Sequence, residues 1–259
     1  MAEGAGGSEA DSPDQVAGID GSWAFSAQYF IVSGLPGCGK TSFLQRSATR
    51  FHEKGLKVKG ILAPHGPDGA GDGRRSLRLL KLLSSSEVLP FQLDCAPGEG
   101  GKTSEREDGL EIMGIRIGNF TFDPGAFAAA QYELESCKDR QGPEGCADWI
   151  FIDEIGPLEL RRKEGLEPAL GDLLRAARAG ELGPPQSRFM IVVRPSLRDQ
   201  VVETYLQLDP PGGDSPGSGF FTLAPEAQAA AAAAMVVDVD PGEDPDALIE
   251  RLAQLPPLF

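Results

Sequence analysis

Histidine and cysteine are scarce in this chain of 259 residues, at two and four. His52 and His65 are too few for a His-rich metal site. Cys38, Cys95, Cys137 and Cys146 form no C-x-x-C pair and no zinc spacing, so they read as reduced thiols of a cytosolic protein. Basic residues are missing altogether before Lys40, while Glu3, Glu9, Asp11, Asp14 and Asp20 crowd the start. A signal peptide needs a basic start and an apolar core, and a transit peptide needs arginine, so neither is expected. The longest apolar run, Ala229 to Val237, is half of the ~20 residues that span a membrane. Positive charge is in deficit throughout: 24 Lys and Arg face 39 Asp and Glu, a net charge of −15. Nucleic acids and anionic membranes both demand clustered Lys and Arg. Neither partner is expected, and the protein reads as cytoplasmic. A small local site for phosphates survives these exclusions.

A chain this long can bury roughly 70–75% of its unfolded surface, so it needs no disulfide or metal to fold. Its 33 glycines and 21 prolines divide it. Residues 1–22 read as a disordered acidic leader and 23–259 as one domain, with a core at about 28–208, a Pro/Gly loop at 209–225 and a helix–strand–helix end at 226–259. Within the core, apolar runs predict strands at 28–33, 56–63, 149–152 and 189–193. Helical spacing predicts helices at 41–54, 123–138, 166–179 and 197–208, with Asp123 as N-cap and Pro124 at the first position of the second. Residues 76–83 and 88–93 read as strands about the turn Ser84-Ser85-Ser86. Residues 95–109 read as a polar loop, and 110–122 as a strand or strand pair. The end reads as a helix at 226–234, a strand at 235–239 and a helix at 246–255. Strands alternating with helices mean an α/β fold: a mainly parallel sheet sandwiched by helices, with an inserted β-hairpin section.

Gly34-Leu35-Pro36-Gly37-Cys38-Gly39-Lys40-Thr41, with Ser42 behind it, fits G-x-x-x-x-G-K-[ST] between a strand and a helix. Glycines let backbone N–H groups turn inward around phosphates, which also meet the positive end of the following helix. In this P-loop, or Walker A motif, Lys40 is expected to reach the β- and γ-phosphates and the Thr41 hydroxyl to ligate Mg²⁺. Cys38 reads as a small filler. Trp149-Ile150-Phe151-Ile152-Asp153-Glu154 is an apolar strand ending in two carboxylates. Downstream of a P-loop it reads as a Walker B strand, with Asp153 holding Mg²⁺ through water and Glu154 polarising the attacking water. Asp153 to Gly156 also match the D-x-x-G of GTP switch proteins, but no N-K-x-D guanine reader accompanies them, and no L-S-G-G-Q signature appears. Arg116, Arg161, Arg162, Arg194 and Arg198 are candidates to neutralise transition-state charge. Arg194 follows a strand and so falls at the carboxyl edge of the sheet, where ligands bind.

Gly34 to Thr41, Asp153-Glu154-Ile155-Gly156-Pro157-Leu158-Glu159-Leu160 and Gly165-Leu166-Glu167-Pro168-Ala169-Leu170 together resemble the small P-loop nucleoside-triphosphatases of bacteria, archaea and animals. Gly73-Arg74-Arg75 and Gly118-Asn119-Phe120 add weaker similarity, and the resemblance runs from about Gln28 to Leu208. It implies a RecA-like core and hydrolysis of the γ-phosphate of several nucleoside triphosphates with Mg²⁺. Residues 237–241, where the family holds the base, match poorly. Two other readings fit the same motifs: a nucleoside or nucleotide kinase, with Arg161 to Lys163 as its basic cluster, and a non-catalytic nucleotide-binding adaptor.

Overall fold

Runs of β-branched and aromatic residues without polar alternation suit strands covered on both faces, and such runs build the centre of this protein. The computed structural model describes residues 28–66, 78–93, 104–105, 111–112, 114–117, 120–139, 145–182, 186–206, 235–238 and 245–257. Along the chain these form β1 (Tyr29–Ser33), α1 (Lys40–Glu53), β2 (Val58–Leu62), β3 (Leu79–Leu82), β4 (Val88–Pro90), β5 (Gln92–Leu93), β6 (Ser104–Glu105), β7 (Glu111–Ile112), β8 (Ile115–Ile117) and β9 (Phe120–Phe122). They continue as α2 (Pro124–Ser136), β10 (Trp149–Ile155), α3 (Ala169–Arg178), β11 (Arg188–Val193), α4 (Arg198–Val201), β12 (Met235–Asp238) and α5 (Pro245–Ala253). The leader, residues 73–75, Cys95, the Pro/Gly loop 209–225 and the helix expected at 226–234 lie outside the described residues.

Seven strands form the main sheet in the order β12-β1-β11-β10-β2-β3-β4. The first five are parallel, and β3 and β4 add an antiparallel edge. The architecture is the α/β P-loop fold that the sequence implies, with β11 standing between the strand before the loop and the strand carrying Asp153. Side chains alternate across the sheet. Phe30, Val32, Trp149, Phe151, Met190 and Val192 pack with Phe43, Leu44 and Phe51 of α1 and Ile249 and Leu252 of α5. Ile31, Ile150, Ile152, Phe189 and Ile191 face the other way, toward Leu134 of α2 and Leu170, Leu173 and Leu174 of α3. Phe51 sits 4.9 Å from the ring of Trp149 and 5.8 Å from that of Phe151, fully buried. A side chain so placed contributes about 1.5–3 kcal/mol. Among the described residues, no helix is long and apolar enough to cross a membrane.

Two contacts fasten the sheet where the site will sit. A Cβ on Gly60 would lie 2.1 Å from the Phe151 carbonyl oxygen, so β2 and β10 approach as closely as they do only because the residue is glycine, at φ +109°. The buried carboxylate of Glu133 accepts from Gly60 N and Ser84 N, both at 3.0 Å, and from the Ser84 hydroxyl at 2.7 Å. It thereby joins α2 to β2 and to the β3–β4 turn.

Several expected elements differ. The strand expected at 88–93 is split at Phe91, because the Arg78 carbonyl accepts from both Phe91 N and Gln92 N, and β5 then pairs with β9. Residues 110–122 give a strand pair, β8 with β9, while Glu111–Ile112 pairs with Ser104–Glu105 inside what reads as a polar loop. The helix expected at 166–179 starts only at Ala169: Glu167 instead uses its side chain to accept from Gly171 N at 3.2 Å. A wide helical turn at Leu158–Arg162, unforeseen, precedes it. The helix expected at 197–208 becomes a short turn at Pro195–Leu197, one turn of α4 and a widened turn at Val202–Leu206, which brings adjacent Tyr205 and Leu206 both to the buried side.

Candidate active site at the carboxyl edge of the sheet

The loop between β1 and α1 takes its path from two glycines. Gly37 and Gly39 have φ of +80° and +93°, and nothing lies within 4 Å of where their Cβ atoms would stand. The requirement for glycine is therefore conformational rather than steric. Phe43 N donates to the Gly39 carbonyl at 2.8 Å, which opens α1. Gly39 offers no side chain to cap that first turn, and the turn contains no acid, so its N–H groups and the positive helix end stay available to an anion. Lys40 Nζ donates to the Gly34 and Leu35 carbonyls, each at 2.8 Å, and lies 3.7 Å from Cys38 Sγ, which holds the ammonium against the loop. Leu35, Pro36, Gly37, Gly39 and Ser42 are exposed, while Gly34, Cys38, Lys40 and Thr41 are half-buried.

β10 runs past its apolar core into Asp153, Glu154 and Ile155, and between Ile152 and Ile155 its register against β11 shifts. Glu154 has φ +66°, unusual for a side-chain-bearing residue. Such a bulge re-aims side chains, so the two neighbouring carboxylates are released from strict alternation. Asp153 is only 3% exposed. Its Oδ2 accepts from Ala63 N at 2.9 Å, and its Oδ1 is buried with no hydrogen-bond partner. Burial pushes its carboxyl above the ordinary aspartate range, opposed first by the Ala63 N–H, then by the Thr41 hydroxyl, the Arg78 guanidinium and the Lys40 ammonium. Groups from three separate chain segments therefore act on one carboxylate.

Glu154 Oε2 forms an ion pair with Arg78 Nη1, both side chains being half-buried. Arg78 forms an antiparallel bridge with His65 just before β3. Burial lowers its pKa, the Asp153 charge raises it again, and Arg194 lowers it further. Arg194, exposed at the end of β11, is thus within electrostatic reach of the same edge. Arg116 is exposed in the separate β5-β9-β8 sheet, and Arg161 and Arg162 are exposed on the turn after β10.

The residues after β10 shape the site rather than line it. Glu159, 4% exposed, accepts from Gly156 N at 2.9 Å and Leu166 N at 3.3 Å. A Cβ on Gly165 would lie 2.4 Å from Glu159 Oε1. The Tyr205 hydroxyl donates to Glu167 Oε1 at 2.5 Å, and Gln131 Nε2 donates to the Gly165 and Glu167 carbonyls at 2.6 and 2.8 Å. Lys163 stands over the Tyr205 ring, 5.1 Å from its centroid. The Gly156–Leu170 string is therefore a lock between β10, α2 and α3.

Among the described residues no group of three or more His, Cys, Asp or Glu gathers to hold a metal. A cation here would draw on Asp153 and the Thr41 hydroxyl, completed by water and phosphate oxygens. The unpartnered Asp153 Oδ1 fits that use. Arg78 is the site residue that motif reading missed. Its one sequence signal is a charge set into the apolar stretch Leu77-Arg78-Leu79-Leu80.

Residues 29–179 match a family model described as NTPase. The nucleoside-triphosphatase THEP1 of Hyperthermus butylicus is 31% identical over 133 residues, 51% of this chain and 58% of that protein. The nucleoside-triphosphatase THEP1 of Pyrococcus abyssi is 31% identical over 147 residues, 57% of this chain and 68% of that protein. That of Thermofilum pendens is 27% identical over 136 residues, 52% of this chain and 62% of that protein. The chain thus spans only about three fifths of the length of the first of these relatives. No solved structure matches.

Proposed function

Since this chain belongs to the NTPase family, we propose that it hydrolyses the γ-phosphate of nucleoside triphosphates, releasing diphosphate and phosphate, with Mg²⁺ as cofactor. Asp153 Oδ1 carries this reading: a buried carboxylate oxygen without a hydrogen bond, beside the Thr41 hydroxyl and the uncapped first turn of α1. Leaving a buried acceptor unsatisfied costs about 1–3 kcal/mol, and more for a charged one. A hydrated cation would meet that need.

The loop N–H groups and the first turn of α1 bind the phosphates, and Lys40 adds a point charge at the β- and γ-positions. Asp153 and Thr41 would hold Mg²⁺, which would supply positive charge against that developing on the phosphate oxygens. Glu154, aimed by the bulge, orients water and accepts its proton as the loose, metaphosphate-like charge develops. Arg194 at the end of β11 adds positive charge to the same edge.

Phosphate release from ATP, GTP, CTP and UTP, with and without EDTA and with candidate acceptor nucleosides, tests the reading. Release without acceptor that stops with EDTA is expected. Phosphate appearing only on an acceptor would make the protein a kinase, and tight binding without turnover would make it an adaptor.

A further inference from the structure

We propose that Arg78 is a positioning residue for the general base, its ion pair with Glu154 fixing the carboxylate that the β10 bulge aims at water. The proposal rests on the reading of Glu154 as that base. Three observations on the structure carry it.

The first is the demand. Glu154 is held at φ +66°, a conformation that costs a side-chain-bearing residue of order 1–3 kcal/mol and persists only where the surroundings impose it. Its long side chain also loses about 1.5–2 kcal/mol of rotamer freedom when fixed. A base needs that order, and nothing on β10 supplies it.

The second is the anchoring of the arginine. The Arg78 carbonyl accepts from Phe91 N at 3.1 Å and Gln92 N at 3.0 Å, and its backbone bridges to His65. His65 lies two residues beyond Ala63, whose N–H holds Asp153. The His65–Arg78 bridge, just past β2 and just before β3, therefore pairs the two segments that secure the carboxylates: Asp153 through the main chain of Ala63, and Glu154 through the side chain of Arg78. Its rigidity is inherited from the sheet.

The third is the division of the carboxylate. Arg78 meets Oε2, and the proposal gives the other oxygen, Oε1, to water. Arginine suits this task because it keeps its charge and its rigid planar fork, and it cannot itself take the proton. Both side chains are half-buried, so the pair is less screened than a surface pair. The arginines singled out by motif reading are not in contact with Glu154 among the described residues.

The experiment is a double-mutant cycle on the full chain, with kcat, KM and independently measured nucleotide affinity for Arg78→Gln, Glu154→Gln and the double variant. Misplacing a reacting group by about 1 Å can cost 10²-fold. Arg78→Gln is expected to lower kcat by about 10–100-fold with nucleotide affinity nearly unchanged. In the Glu154→Gln background the same change should cost nothing more, because groups acting as a unit are not additive. Arg78→Lys should recover part of kcat, since it restores the charge without the fork. If Arg78→Gln fails to fold, Arg78→Lys takes its place in the cycle, and its smaller loss must likewise vanish beside Glu154→Gln. An unchanged kcat, a rise in KM alone, or an equal loss in the Glu154→Gln background would overturn the proposal, the last by showing that Arg78 acts on the substrate directly. Glu154→Gln hydrolysing at the wild-type rate would remove the base assignment itself, whatever Arg78 does.

Discussion

The loop after β1 and the end of β10 meet at one edge of the sheet but are built on opposite plans. The loop is one continuous stretch from Gly34 to Thr41, its tip at Leu35 73% exposed, shaped by its own glycines and by Lys40 folding back onto its carbonyls. The end of β10 is two residues, one of them 3% exposed, and it borrows its partners: Ala63 lies 90 positions earlier in the chain, and Arg78 and Thr41 come from other segments again. Gripping phosphate needs N–H groups and one cation, which eight residues can supply. Holding a cation and a base needs carboxylates desolvated and then individually restrained, which only a packed sheet can supply.

If that contrast is right, damage to the two parts should separate affinity from turnover. The largest effect is expected from Lys40→Ala, which removes a point charge from the phosphates. Turnover should be abolished and nucleotide affinity should fall with it, read by equilibrium binding and phosphate release. Glu154→Gln keeps shape but loses the base, so kcat should fall by about 10²–10⁴ with affinity nearly intact. Asp153→Asn falls between them: it should raise the Mg²⁺ concentration needed for half-maximal rate and weaken binding together with turnover.

A fourth change tests whether the sheet sets the β10 end. Gly60→Ala places a Cβ against the Phe151 carbonyl at a positive φ. A loss of about 3 kcal/mol or more is expected in denaturant unfolding, with turnover of the folded fraction falling further than its affinity. The smallest effect, with opposite sign, belongs to Tyr29→Phe. The Tyr29 hydroxyl is buried without a hydrogen bond, while its ring stacks on Phe189 at 5.3 Å and would be kept by Phe. Stability should rise by about 1 kcal/mol. Burial pushes the Tyr29 pKa from 10.0 up to about 12, with Arg178 opposing. Since the folded value is the higher, this contribution is complete below pH 10 and lost as pH rises toward 12. Unfolding of Tyr29→Phe followed between pH 9 and 12 should lack that decline.

The same contrast explains what was legible in the sequence. The loop, the alternating elements and the parallel sheet could be read because each depends on residues near one another in the chain. Asp153 and Glu154 could be marked as an acidic strand end. Their unequal surroundings could not, since burial of one and the positive φ of the other follow from tertiary packing. Arg78 was hidden for that reason, as its partner Glu154 lies 76 positions further along the chain. Glu133 was hidden too, reading as an ordinary helix acid although it ties Gly60 to Ser84. Arg194, which follows β11, lies exposed at the carboxyl edge of the sheet, where its charge is felt by Arg78.

β11 gives the sheet the character of a gauge. Neighbouring strands lie about 4.8 Å apart, so one interposed strand puts β1 and β10 roughly 10 Å apart. That width is set by backbone hydrogen bonds along the full ladder, from Tyr29 against Phe189 and Trp149 against Arg188 onward, and not by any residue that meets substrate. Widening it would part Thr41 from Asp153, the two groups proposed to hold a cation, and closing it would press them together. On the proposed function, the tolerance of the catalytic machinery is the stiffness of a hydrogen-bonded lattice, and sheared or frayed packing at β11 would detune the chemistry without altering a single reacting group.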